Sequence, residues 1–191
     1  MRTEVADSLP VLETERLVLR PYSLADAPRV QQMCGDPAIA ATTLAIPHPY
    51  PDGAAEQWIS THGENFRQGT EVTLAITLKP DGQVVGSIAL SIDKNHKRGE
   101  LGYMVAKEHW NRGYCTEAVR ALMGHGFSVL GLNRIQAMHF PRNAASGRVM
   151  QKLGMTREGL LRRYVCNRGV FEDLLMYSIL RPEFEPTGKA G

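Results

Sequence analysis

The segment ELGYMVAKEHWNRGYCT, residues Glu100–Thr116, decides the fold, because it contains a candidate strand, a tight loop and the start of a helix. Residues 101–105 are largely apolar and predict a buried strand. Residues 111–116 predict a loop centred on Gly113. From Glu117 onward, apolar residues recur at helical spacing, at Ala118, Val119, Leu122 and Met123. The segment therefore predicts a strand-loop-helix unit.

A unit of this kind can bind an anion. The first N–H groups of a helix have no partners inside the helix, and the helix dipole adds positive potential at that end. A phosphate or pyrophosphate fits there, with Gly113 allowing close backbone approach and Arg112 adding a fixed charge. The segment matches neither a Walker loop nor a dinucleotide-binding fingerprint. Strand-loop-helix units with one glycine are also common without a ligand, so the unit alone leaves both interpretations open.

Length and composition predict one ordinary globular domain. The chain has 191 residues, of which 43% are hydrophobic and 22% charged, with a net charge of +2 at pH 7. This charge is too small to indicate direct nucleic-acid binding, and no apolar run approaches the roughly 20 residues of a membrane helix. We predict a loose leader at 1–11, a single domain at 12–182 and a tail at 183–191.

Cysteine and histidine usage predicts a cytoplasmic protein without a metal site. The three cysteines, Cys34, Cys115 and Cys166, are widely spaced and suit a reducing compartment. The six histidines show no ligand spacing, so no metal site is predicted. The first ten residues lack an apolar core, so we expect no signal peptide.

Hydrophobic periodicity and turn residues predict a mixed sheet with helices on its faces. Asp52 and Asn143 are expected to cap helices, which Gly69 and Gly154 respectively end. The predicted strands are 12–20, 71–78, 83–92, 101–105, 132–140, 160–166 and 170–180. The predicted helices are 24–34, 54–68, 116–130 and 143–153.

This element order, with a glycine-bearing loop between the fourth strand and the third helix, resembles the GNAT acyl-CoA N-acyltransferases. WNRGYCTEA at 110–118 is similar to the pyrophosphate loop of that family, and NAAS at 143–146 with KLGM at 152–155 is similar to its second coenzyme motif. ETERLVLRPY at 13–22 and ELGY at 100–103 resemble the Rim-type branch, which includes acetyltransferases for ribosomal-protein N-termini. The resemblance covers about residues 12–182.

The resemblance implies an α/β fold with a central mixed, mostly antiparallel sheet that is splayed between strands 4 and 5, with helices on both faces. It also implies acetyl transfer from acetyl-CoA to a primary amine, by direct attack in a ternary complex. A protein or peptide N-terminal α-amino group is the expected acceptor. The alternatives are a small-molecule amine, such as an antibiotic, polyamine or amino acid, and a non-catalytic acyl-CoA-binding sensor. Rim-type relatives often form dimers, so a homodimer is expected.

The same resemblance implies the coenzyme contacts. The backbone N–H of Met104 or Val105 would stabilise the oxyanion, because the strand would leave its neighbour after a bulge. The expected coenzyme-binding residues are Met104, Val105, Asn111, Arg112, Gly113, Tyr114, Cys115, Thr116, Asn143 and Ser146.

The chain departs from the family pattern at three positions. Trp110 and Cys115 occupy the first and last positions of the loop pattern, and Met150 stands where many relatives carry a general-acid tyrosine. We expect Cys115 to pack, with a thiol of lowered pKa as the less favoured alternative. Ser146 matches the serine that does the tyrosine's work in Rim-type relatives.

Glu100 is the candidate general base, because it begins the central strand where the acceptor cleft of the family opens. The alternative is a solvated carboxylate beside Arg98 and Lys97. Glu117 is a weaker candidate, because a carboxylate in the first turn of a helix is already explained by the helix dipole. Residues 41–58 and 164–170 are expected to line the acceptor site.

Overall fold

The computed structural model describes residues 8–185. Residues 1–7 of the predicted leader and 186–191 of the predicted tail lie outside the described residues. The strands are β1 Leu12–Glu13, β2 Leu17–Arg20, β3 Glu71–Leu78, β4 Val84–Asp93, β5 Arg98–Val105, β6 Arg134–His139, β7 Thr156–Asn167 and β8 Val170–Leu180. The α-helices are α1 Ala27–Gly35, α2 Pro37–Ala40, α3 Ala54–Gln68, α4 Tyr114–Ser128 and α5 Ala144–Lys152. Short 3-10 turns occupy Leu24–Asp26, Lys107–His109 and Arg181–Glu183.

The strands form one sheet in the order β1-β2-β3-β4-β5-β6-β8-β7. Neighbouring strands are antiparallel except β5 and β6, which are parallel. That parallel pairing joins only Arg98–Glu100 to Arg134–Gln136, after which the two strands separate. This arrangement confirms the predicted mixed, mostly antiparallel sheet, splayed between the fourth and fifth predicted strands. We call the gap between the C-terminal parts of β5 and β6 the opening.

Helices cover both faces of the sheet. On one face, α4 and α5 pack on a large apolar cluster that includes Leu74, Leu101, Val119 and Met150. On the other face, α1 and α3 pack on a smaller cluster around Ala75. Successive residues of a strand point to opposite faces, so β3, β4 and β5 each contribute to both clusters. The sheet is therefore the middle layer, and the opening lies within it, where β5 and β6 diverge.

Several predicted boundaries differ from the structure. The first predicted strand is divided into β1 and β2, and α2 was not predicted. Asp52 does not cap α3, because Gly53, with φ of 76°, takes the N-cap position without a side-chain bond. Strand β7 starts at Thr156, four residues before the predicted start. Its first residues are exposed and polar, so they lack the apolar pattern from which a strand is predicted. Gly69 ends α3 as predicted.

Residues near both ends of the described chain pack on the core. Leu9 and Phe184 contact the large apolar cluster, and the Phe184 ring lies 5.2 Å from that of Phe127. The division into leader, domain and tail stays a prediction. Within residues 8–185, no helix combines the length and apolar character needed to cross a membrane.

Candidate active site

Backbone groups of β5 point into the opening. The Lys97 carbonyl accepts the N–H of Asn133 from the β6 side over 2.8 Å, whereas the N–H of Ala106 donates to β4 over 2.8 Å. Backbone polar groups alternate in direction along a strand, so odd-numbered residues of β5 face β6. Beyond the short parallel pairing, the N–H and C=O groups of Tyr103 and Val105 therefore face the opening.

This alternation distinguishes the two predicted oxyanion donors. Met104 pairs with Ser87 of β4, and the register between β4 and β5 is unbroken along the whole strand. The predicted bulge in β5 is therefore wrong, because the splay arises from the divergence of β6. Of the two candidates, only Val105 has its N–H toward the opening. Its carbonyl accepts the indole N–H of Trp110 at 2.6 Å.

The predicted coenzyme loop connects β5 to α4. Asn111 and Gly113 both have positive φ, 60° and 80°, and Gly113 is the N-cap of α4. No side chain of the described chain caps this helix, so its first N–H groups remain available to a ligand. Arg112 is exposed, and Thr116 is half-buried in the first turn. The loop thus has the strand-loop-helix form that the sequence predicts.

Arg16, between β1 and β2, holds this loop from outside. Its guanidinium pairs with Glu117 at 2.7 Å, donates to the Arg112 carbonyl at 2.9 Å and lies 4.8 Å from the Tyr114 ring centre. Thr14 donates to Glu117 at 2.6 Å. Partial burial alone would raise the pKa of Glu117, but these hydrogen bonds hold it below its ordinary value. Glu117 is therefore a structural anchor and does not suit the role of base.

Cys115 lies in the first turn of α4, where a helix N-terminus would favour a thiolate. Burial has the opposite effect and raises the pKa of this thiol to about 12. The apolar surroundings therefore outweigh the helix dipole, and the packing interpretation of Cys115 is the better one.

The second predicted coenzyme motif begins α5. Asn143 caps the helix, and its side-chain oxygen accepts the N–H of Ser146 at 3.3 Å. The Ser146 hydroxyl lies 2.8 Å from the hydroxyl of Tyr103, which reaches it from β5. Met150 is 1% exposed and belongs to the core, so α5 offers no acid at that position. Ser146 thus lies beside the opening on the α4–α5 face.

Glu100 lies on the opposite face of the sheet. It is half-buried, and its carboxylate accepts a hydrogen bond of 2.8 Å from the side-chain amide of Gln136 on β6. Arg134 donates to Gln136 at 3.1 Å and makes two bonds of 2.6 Å to Glu158. Arg98 pairs with Asp93 and not with Glu100. Glu100 is therefore a positioned carboxylate at the point where β5 and β6 part.

The two predicted catalytic residues consequently flank the opening from opposite faces. Tyr103 and Val105 share a face with α4 and α5, whereas Glu100 and Met104 face the α1–α3 side. Gly102 lies between these two residues on the strand, is exposed and has no side chain, so the surface of the sheet is uncovered there. A molecule bound on this surface would lie beside the Glu100 carboxylate and next to the opening.

The two predicted acceptor segments meet α2. Arg168, in the β7–β8 turn, donates to the carbonyl of Ala40 at 3.3 Å, and Arg142 donates to that of Ala41 at 3.0 Å. Trp58 of α3 packs edge-on against His62, with ring centres 4.4 Å apart. Burial lowers the pKa of His62, so this residue is neutral at pH 7. Ile46, Tyr50 and Trp58 of the first segment pack on the smaller cluster, on the same face as Glu100.

A groove of about 620 Å³ runs along the outer side of α4 from the coenzyme loop. Arg120 and Lys152 supply two cationic side chains, and Phe184 closes the far end. Its lining comprises Thr14, Glu15, Gly113, Thr116, Glu117, Arg120, Ala121, Gly124, Lys152 and Phe184. The groove therefore adjoins the predicted anion site and carries both cationic and acidic side chains.

Four contributors to this site had no role predicted from the sequence. Tyr103 lies inside the quoted ELGY segment but carried no assigned role, and Arg16 and Gln136 are distant in sequence from their partners. Trp110 was treated only as a departure from the family pattern. No local pattern predicts these contacts, because each depends on how separate elements pack.

Comparison with known proteins identifies the family. The model of the acetyltransferase (GNAT) domain matches residues 16–156. An uncharacterized N-acetyltransferase of Bacillus licheniformis, p20, is 34% identical over 92% of this chain and 99% of its own length. The uncharacterized N-acetyltransferase YoaA of Bacillus subtilis is 30% identical over 91% and 98%. The chain belongs to the GNAT acetyltransferase family, and it is an N-acetyltransferase that uses acetyl-CoA.

A solved structure has the same fold. RimL, a ribosomal α-N-protein acetyltransferase in complex with coenzyme A, superposes with a TM-score of 0.82 over 90% of this chain and 98% of its own. Its sequence is 16% identical to this chain, so the likeness concerns the fold.

Proposed function

We propose that this enzyme acetylates the N-terminal α-amino group of a protein or peptide, by direct attack of the amine on acetyl-CoA in a ternary complex. The observation that carries this proposal is the opening between β5 and β6, with Glu100 on one face and Ser146 on the other. Donor and acceptor would enter from opposite faces and meet in the opening. The resemblance of the ELGY and ETERLVLRPY segments to Rim-type enzymes favours the same acceptor.

The presence of one carboxylate as the proposed base also favours an α-amino acceptor. Glu100 is a single carboxylate hydrogen-bonded to a neutral amide. An α-amino group has a pKa of about 7.7–8.0 and a lysine side chain one of about 10.4. A weak base suffices for the first amine, because a substantial fraction is already neutral at physiological pH.

The geometry described above supports the coenzyme contacts that we propose. The N–H of Val105 would donate to the thioester oxygen as negative charge develops. The uncapped start of α4 would bind the pyrophosphate, and Arg120 and Lys152 would attract the nucleotide end. Ser146 would donate to the departing sulfur. We propose as coenzyme-binding residues Met104, Val105, Asn111, Arg112, Gly113, Tyr114, Cys115, Thr116, Asn143 and Ser146, with Met104 contributing packing and not its N–H.

A cytoplasmic location and a homodimer stay predictions. The three cysteines are all unpaired, which fits a reducing compartment. Exposed apolar side chains on the β7–β8 hairpin, among them Tyr164 and Phe171, offer a surface for a second copy. Sedimentation equilibrium tests the dimer.

An acceptor panel tests the proposed function. Thiol release from acetyl-CoA would be measured with short peptides, with the same peptides blocked at the N-terminus, and with polyamines, amino acids and an aminoglycoside. We expect turnover with free peptides and none with blocked ones. Turnover restricted to small amines would establish the first alternative. Coenzyme binding without turnover on any amine would establish the sensor.

A further inference from the structure

Tyr103 makes the contact on which a new assignment rests. Its side chain leaves β5 on the α4–α5 face and ends with its hydroxyl 2.8 Å from the Ser146 hydroxyl on α5. The same oxygen lies 3.4 Å from the Ser146 carbonyl. Among the hydrogen bonds of residues 8–185, Tyr103 is the side-chain partner of the Ser146 hydroxyl. The orientation of that serine therefore depends on the tyrosine.

Either of these two adjacent hydroxyls can be the donor in the bond between them. Each hydroxyl has one proton to donate, and its oxygen can also accept. Burial raises the pKa of Tyr103, so the phenol keeps its proton and is able to donate it. When it donates to Ser146, the serine proton is free to point elsewhere. A donated hydrogen bond also polarises the serine O–H, because hydrogen bonds in a chain strengthen one another.

We propose that Tyr103 is a positioning residue that donates to the Ser146 oxygen and directs the Ser146 proton at the departing sulfur. The proposal rests on the proposed function, because it requires Ser146 to serve the leaving group. In the transfer, the thioester C–S bond breaks and a C–N bond forms. The proton lost by the amine passes to Glu100 and then to solvent. The sulfur takes the Ser146 proton, and water restores the serine. Tyr103 donates throughout, and none of its covalent bonds changes.

Other side chains near the opening do not suit this role. Met150 occupies the turn of α5 after Ser146 and has no proton to donate. Cys115 is held protonated by burial, and no hydrogen bond joins it to Ser146 among the described residues. Asn143 accepts the backbone N–H of Ser146 and leaves the hydroxyl to Tyr103. The strand thus supplies the orienting hydroxyl that the helix lacks.

A double-mutant cycle with Tyr103→Phe and Ser146→Ala tests the assignment. Tyr103→Phe removes one hydroxyl and keeps the ring, so kcat should fall about ten-fold, the effect of one well-placed hydrogen bond. Ser146→Ala should lower kcat by about ten- to a thousand-fold. KM for acetyl-CoA should change less than about two-fold in both variants, because the interaction strengthens only as the sulfur gains charge.

The double variant separates positioning from an independent role. If Tyr103 acts through Ser146, the double variant should match Ser146→Ala alone. A further ten-fold loss in the double variant would overturn the assignment, as would full kcat in Tyr103→Phe. Tyr177→Phe is the matched control, because Tyr177 is a buried tyrosine of the same face without a bond to Ser146. It should retain full kcat.

A change of acyl donor distinguishes this role from a structural one. With an acetyl thioester of an aromatic thiol, whose thiolate leaves without a proton, the Tyr103→Phe defect should shrink to less than about two-fold. A defect of equal size with both donors would indicate misfolding of the site and overturn the assignment. The cycle can be run with any amine that is acetylated. Failure of peptides as acceptors would therefore count against the proposed function alone.

Discussion

The indole N–H of Trp110 donates to the carbonyl of Val105 across 2.6 Å, which ties the start of the coenzyme loop to the end of β5. The bond occupies the carbonyl of Val105 and leaves its N–H free toward the opening. A residue that departs from the family pattern therefore fixes the position of the proposed oxyanion donor relative to the phosphate site.

Replacing Trp110 with Phe should loosen this connection. The variant keeps an aromatic ring but leaves the Val105 carbonyl without its donor. We expect the affinity for coenzyme A, measured by calorimetric titration, to fall roughly two- to ten-fold, the range for one net hydrogen bond. Trp58→Phe is the control, because Trp58 packs on α3 away from the loop. Equal affinities for the two variants would show that the bond does not organise the coenzyme site.

Gly113 should be required for coenzyme binding as well as for the backbone conformation of its loop. Gly113 and Gly131 both have positive φ, 80° and 67°, and an added methyl at Gly113 would also lie 3.3 Å from the Arg16 guanidinium. Alanine at either position should cost about 1 kcal/mol or more of stability. Only Gly113→Ala should weaken coenzyme binding, and Arg112→Ala should weaken it less. A loss of affinity in Gly131→Ala of the same size would refute the proposed location.

Glu100→Gln should slow transfer without affecting coenzyme affinity. The amide keeps the shape and can still accept from Gln136, but it cannot take a proton. The loss in kcat/KM should be greatest below the pKa of the amine, so the profile should be measured from about pH 6 to pH 9. Glu71→Gln is the control, because it removes a carboxylate from the same face, where Glu71 bonds Ser91 at 3.4 Å. Identical profiles for both variants would exclude Glu100 as the base.

Glu158 should make stability depend on acid pH. Hydrogen bonds lower the pKa of Glu158 to about 2, and the bond from Arg134 contributes more than the bond from Ser178. A carboxylate with a depressed pKa stabilises the fold above its unfolded pKa, and this contribution is lost as the pH falls through the folded value. Because the side chain is 41% exposed, Glu158→Gln should cost only about 0.5–1 kcal/mol at pH 7.

The difference in unfolding free energy between the parent protein and Glu158→Gln should shrink as the pH falls from about 4.5 toward 2. Urea denaturation at pH 7, 4 and 3 measures it. Glu64→Gln serves as the control, because the Glu64–Arg67 pair is exposed and should contribute little. A difference for Glu158→Gln that stays constant across this range would contradict the assigned ion pair.

The sequence predicts those features that depend on neighbouring residues. Helix α3 was bounded correctly because its apolar spacing is regular and Gly69 ends it. Asn143 and Ser146 were placed on one helix turn because they lie three residues apart. Asp52 failed as a cap because Gly53 adopts a left-handed conformation that the sequence permits but does not require.

Contacts between distant segments could not be predicted in the same way. Arg16 and Glu117 are 101 residues apart, and Glu100 and Gln136 are 36 apart. Each pair forms because the sheet order brings its elements together. The direction of the Val105 N–H was also inaccessible, because it depends on the register between β4 and β5. Periodicity determines which face a side chain occupies, but not which edge a backbone group faces.

The separation of β5 from β6 also has a thermodynamic consequence. It leaves part of one edge of β5 and part of one edge of β6 without a hydrogen-bonded neighbouring strand. The amide groups of acetyl-CoA would form hydrogen bonds along one of these edges. A ligand that binds only the folded state stabilises it by about 2.7 kcal/mol at a hundred times its dissociation constant. We therefore expect the melting temperature to rise with coenzyme A concentration, and a flat response would refute the idea. The acyl-donor supply of the cell would then govern the lifetime of the folded enzyme as well as its rate.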